Sequence, residues 1–285
     1  MGPGMWATSP GPRSHGRVAS PYRLGVRRDT GVVTPRPAPR RLTPRGRVVL
    51  GLVGALLVVG SLAIARAVLH GPPDCTVRAD GRTVDLDQRQ AERAATWSTT
   101  SSGGRSAARL DASALARDLA ISATDARAVV AAFTGRVPAA VTCRHGGAAT
   151  SETDRLDSHG LTPRAEAVRE DLRARFPGVP LGGFAPGGVH TGHMPGSAHY
   201  EGRAIDAFVR PVNPRNKERG WALAEYFVAN AARLSINTVI FDDRIWTARR
   251  AADGWRHYTV ATGGKPPAVV RILEHRDHVH VDVAD

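Results

Sequence analysis

Hydrophobic and polar positions divide the chain into four stretches. Residues 1–47 show no helical or strand period, and Pro, Gly, Ser and Arg dominate them. With so little to bury, they are expected to be disordered. Residues 48–65 (VVLGLVGALLVVGSLAIA) carry no charge and are apolar on every face, and Ala67, Val68 and Leu69 extend the run past Arg66. At about 1.5 Å per residue, the 48–69 stretch spans a bilayer core with little to spare. Residues 71–147 read as a small helical module. LDQRQAERAATW and DASALARDLA have helical spacing, STTSSGG (residues 98–104) is a flexible break, and Ser122 with Asp125 forms a capping box for a third helix closed by Gly135. A polar linker, residues 145–154, leads to the last stretch.

Residues 155–285 mix both periods. TPRAEAVREDLRARFPG predicts a helix with Thr162 as N-cap, Pro163 in its first turn and Ala165, Val168, Leu172 and Phe176 as its buried stripe. A glycine-rich loop, GGFAPGGVHTGHMPG, precedes a strand at residues 204–209. NKERGWALAEYFVANAARL predicts a second helix that buries Trp221, Leu223, Phe227 and Leu234. NTVIF and RIWTA flank Asp242 and Asp243 as a hairpin, and HVHVDV ends the chain as a strand. Helices and antiparallel strands in one block make this part α+β, with a central antiparallel sheet.

Charge changes the picture only at the N-terminus. The formal net charge is +13, yet residues 1–47 hold ten arginines against one acid, Asp29, and supply +9 of it. No aromatic-interleaved basic face is present, so nucleic-acid binding is not expected. Arginines before the apolar run and the nearly neutral HGPPD after it place the N-terminus in the cytoplasm and the remainder outside. Ala63-Ile64-Ala65 resembles a signal-peptide cleavage site, but it lies inside the apolar run, behind an unusually long basic region. An uncleaved single-pass anchor is therefore expected. The two cysteines, Cys75 and Cys143, then lie in an oxidising compartment. They are most simply read as a disulfide, the alternative being two unpaired thiols.

Two short stretches carry chemistry. In the terminal strand, Val279, Val281 and Val283 share one face, while His278, His280 and Asp282 share the other. Two histidines on one open face suit half of a metal site; in isolation, a solvated polar face suits them better. In SAHYEGRAID, Asp206 falls among small and apolar neighbours on a strand, where a carboxylate needs a partner, either a divalent cation or an arginine. His199 lies at the end of the preceding loop, and Gly202 lets the chain turn close by. His199, Asp206 and His280 together offer three protein ligands with one open position, the usual form of a catalytic zinc site.

Ser197-x-His199-x-x-Gly202-x-Ala204-x-Asp206, followed by a terminal His278-x-His280, resembles the zinc D-Ala-D-Ala metallopeptidases. That group shares its fold with the N-terminal domain of hedgehog proteins, and DHVHV with the preceding RIW is most similar to an actinobacterial branch of it. The resemblance covers about residues 155–285. It implies His199, Asp206 and His280 as zinc ligands and leaves two places for the acid/base residue, Asp277 three residues before the last ligand or His278. Strand alternation puts His278 on the metal face and turns Asp277 away, which assigns His278 as base or transition-state stabiliser and Asp277 as the carboxylate that orients a ligand imidazole. Ser197 and Arg203 are the candidates for substrate contact, with Arg276, His190 and His193 as further cations and His275 lining the cleft. Relatives usually carry a substrate-binding arginine in an SGYR-like stretch, and here Ala185 stands in its place. The expectation is a membrane-anchored zinc peptidase acting outside the cell on peptidoglycan peptides. The alternative is a zinc-containing binding module without activity. No protein partner is indicated.

Overall fold

The computed structural model describes residues 48–49, 52–54, 72–101, 111–153 and 155–285. The expected disordered tail and most of the expected transmembrane run lie outside the described residues. Residues 48, 49 and 52–54 are helical, and among the described residues no helix is long and apolar enough to cross a membrane.

The segment expected to be a small helical module opens on a β-hairpin. Cys75–Ala79 (β1) pairs antiparallel with Arg82–Leu86 (β2), and alternation buries Cys75, Val77, Ala79, Val84 and Leu86. Asp80 and Gly81, both at positive φ, form the two-residue turn. Asp-Gly between alternating apolar positions is a strong hairpin signal, and the helical reading of this segment passed over it. Val141–Cys143 (β3) pairs with the other edge of β1, with Cys75 opposite Cys143. Those two cysteines form the expected disulfide across a sequence separation of 68. A loop of that size contributes about 4 kcal/mol in a chain-entropy model.

Among the described residues, three helices lie in the interval: Gln88–Ser101 (α1), Ala112–Leu119 (α2) and Ala123–Phe133 (α3). Where a flexible break was expected at 98–104, α1 continues to Ser101, and residues 102–104 lie outside the described residues. The hydroxyls of Ser98 and Thr99 bond back to the carbonyls of Ala94 and Thr96, so the polar side chains are satisfied inside the helix. Ser122 caps α3 as expected: its Oγ accepts from the Asp125 amide at 3.0 Å and donates to the Asp125 carboxylate at 2.7 Å.

The remaining elements build a six-stranded antiparallel sheet. Pro163–Arg175 (α4) is followed by Leu181–Gly182 (β4), Ala204–Phe208 (β5), Pro214–Ala229 (α5), Ile236–Phe241 (β6), Arg244–Thr247 (β7), Arg256–His257 (β8), Pro267–Leu273 (α6) and His278–Val283 (β9). The strand order is β4-β5-β9-β6-β7-β8. The last strand thus enters the middle of the sheet, between β5 and β6. Val279, Val281 and Val283 meet the core as expected, and α5 packs across β6 and β9. Thr162 precedes α4 without a side-chain cap bond, and its buried hydroxyl finds no partner among the described residues.

Residues from both parts join one hydrophobic core, and a buried carboxylate sits at their junction. Glu225 of α5 is fully buried. Its Oε1 accepts from the Ala140 amide at 2.7 Å and its Oε2 from the Val141 amide at 3.0 Å. Burial pushes this carboxyl up to about 8, against the opposing pull of the two amides. Because the folded pKa lies above the unfolded one, the contribution is complete below about 4.5 and is lost as pH rises through about 8. Glu225→Ala orphans two buried N–H groups and is expected to cost roughly 2–5 kcal/mol in urea unfolding at pH 7. Glu225→Gln cannot ionise and should also flatten the fall in urea midpoint between pH 5 and pH 8. An Ala variant as stable as the parent would remove this role from Glu225.

Candidate metal centre

Antiparallel pairing of β5 with β9 sets Asp206 directly opposite His280. Both side chains project to the face opposite the valines. That face is covered: His278, His280, Asp282 and Asp206 are all buried, which rules out the solvated polar face. The third group arrives from a 3-10 turn, Ala198–Glu201. Ser197 caps this turn, its Oγ accepting from the His199 amide at 3.4 Å, and Gly202 ends it at φ +68. The spacing between His199 and Asp206 is therefore one capped turn, one left-handed glycine and the first residues of a strand.

The three groups converge on a point. His199 Nε2 lies 3.1 Å from His280 Nδ1 and 3.2 Å from Asp206 Oδ1, and His280 Nδ1 lies 3.3 Å from the same oxygen. A tetrahedral ion with ligands about 2.0–2.1 Å away needs them about 3.3–3.4 Å apart, so the triangle is close to ready-made. The outer nitrogens are fixed as metal-binding imidazoles require. His199 Nδ1 donates to the Gly183 carbonyl at 2.7 Å, and His280 Nε2 meets Asp282 Oδ2 at 3.4 Å.

The electrostatics favour a cation at the centre. Burial alone would raise Asp206, but hydrogen bonds with His199 and His280 and the charge of His278 outweigh it and hold the carboxyl well below its ordinary range. Burial alone would lower His280, but Asp206 and Asp282 outweigh it and push the imidazole up to about 9.

Gly183 sets the approach of His199. At φ +79, its missing Cβ would sit 2.3 Å from His199 Cε1 and 3.1 Å from Asp206 Oδ2. Gly183→Ala must turn the imidazole aside, and we expect metal affinity to fall at least about tenfold, as when a supporting contact to a ligand is lost. Competition with a chromophoric chelator measures this. Affinity unchanged in the variant would mean that His199 does not hold the ion.

Further side chains surround the triangle. His278 Nε2 lies 3.7 Å from Asp206 Oδ1, while its Nδ1 donates to Asp277 Oδ1 at 2.7 Å. Asp277 Oδ2 accepts from Arg210 Nε, also at 2.7 Å. Burial would raise the Asp277 carboxyl, but bonds from His278 and Arg210 outweigh it and lower it. Arg210 itself lies over the Phe208 ring, 4.2 Å from its centroid. His275 packs on His278 at 4.6 Å, with Tyr258 edge-on behind it, and burial with the nearby His278 and His280 lowers its imidazole to about 3. His193, from the glycine-rich loop, stacks on His199 at 4.0 Å between centroids. His193, His199 and Asp206 also form a group that could hold a metal ion, each offering an atom within 4.8 Å of the others.

The sequence-predicted residues thus divide. His199, Asp206, His280 and His278 come together, with Asp277 directly behind His278. Ser197 shapes the turn that carries His199. Arg203 is bound to the Val283 carbonyl at 2.8 Å and ion-paired with Glu201, and Arg276 is taken up by Asp242, Asp243 and Glu274. Arg210 was not foreseen. Its signal was indirect: pairing of the two motif strands sets Phe208 opposite His278, and the Val209 amide donates to the Asp277 carbonyl, which brings the next residue beside Asp277.

Among protein families, the one described as VldE, C-terminal domain, matches residues 157–268, a segment that contains His199 and Asp206 and stops short of β9. No curated protein and no solved structure matches the chain.

Proposed function

We propose that this chain is a zinc peptidase that hydrolyses peptide bonds of peptidoglycan, held outside the cell by its apolar segment. The observation that carries the reading is the triangle of His199 Nε2, Asp206 Oδ1 and His280 Nδ1, with both outer nitrogens already committed. Two imidazoles and one carboxylate suit zinc better than magnesium or calcium. A zinc ion there would supply a Lewis acid for a peptide carbonyl and lower the pKa of water toward neutrality.

The chain's own groups supply the rest. Asp277 accepts a hydrogen bond from the Nδ1–H of His278, which leaves the lone pair on Nε2. His278 can then receive a proton at Nε2 and, once charged, stabilise a developing oxyanion or return the proton to the leaving amine. Arg210 holds Asp277 in place from the other side. Ala185 replaces the usual arginine, and Arg203 and Arg276 are engaged internally. Both facts favour cleavage within a peptide over recognition of a free terminal carboxylate. They equally favour the second reading, a binding module that keeps its ion.

Incubation of the full-length protein with peptidoglycan fragments, with and without a zinc chelator, separates these readings by mass spectrometry of the products. Chelator-sensitive splitting of stem or cross-linked peptides is the expected result, and loss of a single terminal alanine would indicate a carboxypeptidase. Intact fragments in the presence of zinc-loaded protein would leave the binding module.

A further inference from the structure

We propose that His193 is a loop-borne fourth ligand, which takes the open position of the zinc while no substrate is present and gives it up to the substrate carbonyl or to water. The inference rests on the zinc reading above and adds a regulation of that same site.

Three observations point to it. The His193 ring lies face to face with His199, centroids 4.0 Å apart and planes 23° from parallel. One of its ring nitrogens lies within 4.8 Å of the donor atoms of His199 and Asp206. Ligand atoms on one tetrahedral ion lie about 3.3–3.4 Å apart, so a shift of about 1.5 Å or less brings that nitrogen to ligand spacing from both.

The second observation is the ring's own bonding. His199, His275, His278 and His280 each have a ring nitrogen bonded to a carbonyl or carboxylate. The ring nitrogens of His193 have no hydrogen-bond partner among the described residues, although the side chain is half-buried against the site. A half-buried imidazole with both nitrogens free is suited to a ligand that is not always present.

The third is the way its backbone is held. The Tyr200 hydroxyl accepts from the His193 amide at 2.9 Å and donates to the His193 carbonyl at 2.5 Å. Tyr200 is the neighbour of His199, so the main chain of His193 is pinned to the same turn that presents a ligand. Pinning leaves rotation about the side-chain bonds as the way in and out. Gly192 and Gly196, both at positive φ, flank the pinned residue, and the surrounding residues 191, 192 and 194–196 are exposed. With an ion bound, His193 would give up its place to an oxygen lone pair of water or substrate, with no change of oxidation state.

X-ray absorption of the zinc-loaded full-length protein counts the imidazoles on the ion. Three in the parent and two in His193→Ala is the expected result, with three retained in His190→Ala, a control in the same loop. On the cobalt(II)-substituted protein, azide should bind at least about tenfold more tightly to His193→Ala than to the parent. Two imidazoles in both parent and variant, with zinc at one per chain, would overturn the role of His193 and leave the zinc site standing. Failure of the parent to hold zinc would sink the underlying reading instead. Tyr200→Phe, which releases the main chain of His193 without removing the ring, should lower the imidazole count or leave it fractional. A full count of three would mean that the clamp is not what positions the ring.

Discussion

His280→Ala is expected to leave a protein that retains no zinc after dialysis, with affinity lowered about a thousandfold or more. Loss of a residue that merely supports a ligand costs about 10- to 100-fold, and His280 is a direct member of the triangle, 3.1 Å from His199 Nε2 and 3.3 Å from Asp206 Oδ1. Its removal also takes away the partner between two buried carboxylates, Asp206 and Asp282. Breaking a buried ion pair typically costs about 3–5 kcal/mol, so the metal-free variant should also unfold earlier. Asp206→Asn separates the two effects, because it removes the anionic ligand while nearly preserving shape. It should lose zinc with a smaller loss of stability. Metal analysis of each purified variant, with thermal unfolding alongside, provides both readouts. Stoichiometric zinc in either variant would refute the assignment.

His278→Ala should behave oppositely: zinc retained, peptide cleavage reduced about 10²- to 10⁴-fold, the usual range for a positioned acid or base. His278 lies on the same face of β9 as His280. However, its Nε2 stands 3.7 Å from Asp206 Oδ1, farther from that oxygen than His199 Nε2 and His280 Nδ1 are, and its Nδ1 is committed to Asp277. Loss of zinc as complete as in His280→Ala would make His278 a ligand. An unchanged rate would remove it from proton transfer. Arg210→Gln should have a weaker effect, about tenfold on the rate, since Asp277 keeps its bond to His278 and loses only the outer support.

Much of the fold was legible because local patterns and tertiary demands agree. The terminal alternation of histidine and valine required one apolar and one polar face, and β9 has both. α4 buries Ala165, Val168 and Leu172 and α5 buries Trp221, Leu223 and Phe227 as their spacing selects, while Phe176 is half-buried at the end of α4 and Leu234 lies past the end of α5; the Ser122 cap is a local bond formed by neighbours in sequence. The hairpin of β1 and β2 was equally local and was missed only because the segment was read by helical period; Asp80-Gly81 carried the signal. The continuation of α1 through Ser98 and Thr99 was harder to read, since Ser and Thr disfavour helices until their hydroxyls find a carbonyl one turn back.

The sequence by itself determined which residue types could form the centre and that each would lie on a polar face or at a capped turn. Alternation and capping act over a few residues and leave a trace in the order of side chains. Tertiary structure alone decided that β9 enters between β5 and β6, which sets Asp206 opposite His280 and buries the polar face. It also brought Arg210 behind Asp277, tied Glu225 to the amides of Ala140 and Val141, and laid His193 over His199. Those contacts join segments far apart in the chain, or a loop to a turn. Their energy comes from burial and from pairing of charges out of water, which no short window of sequence contains.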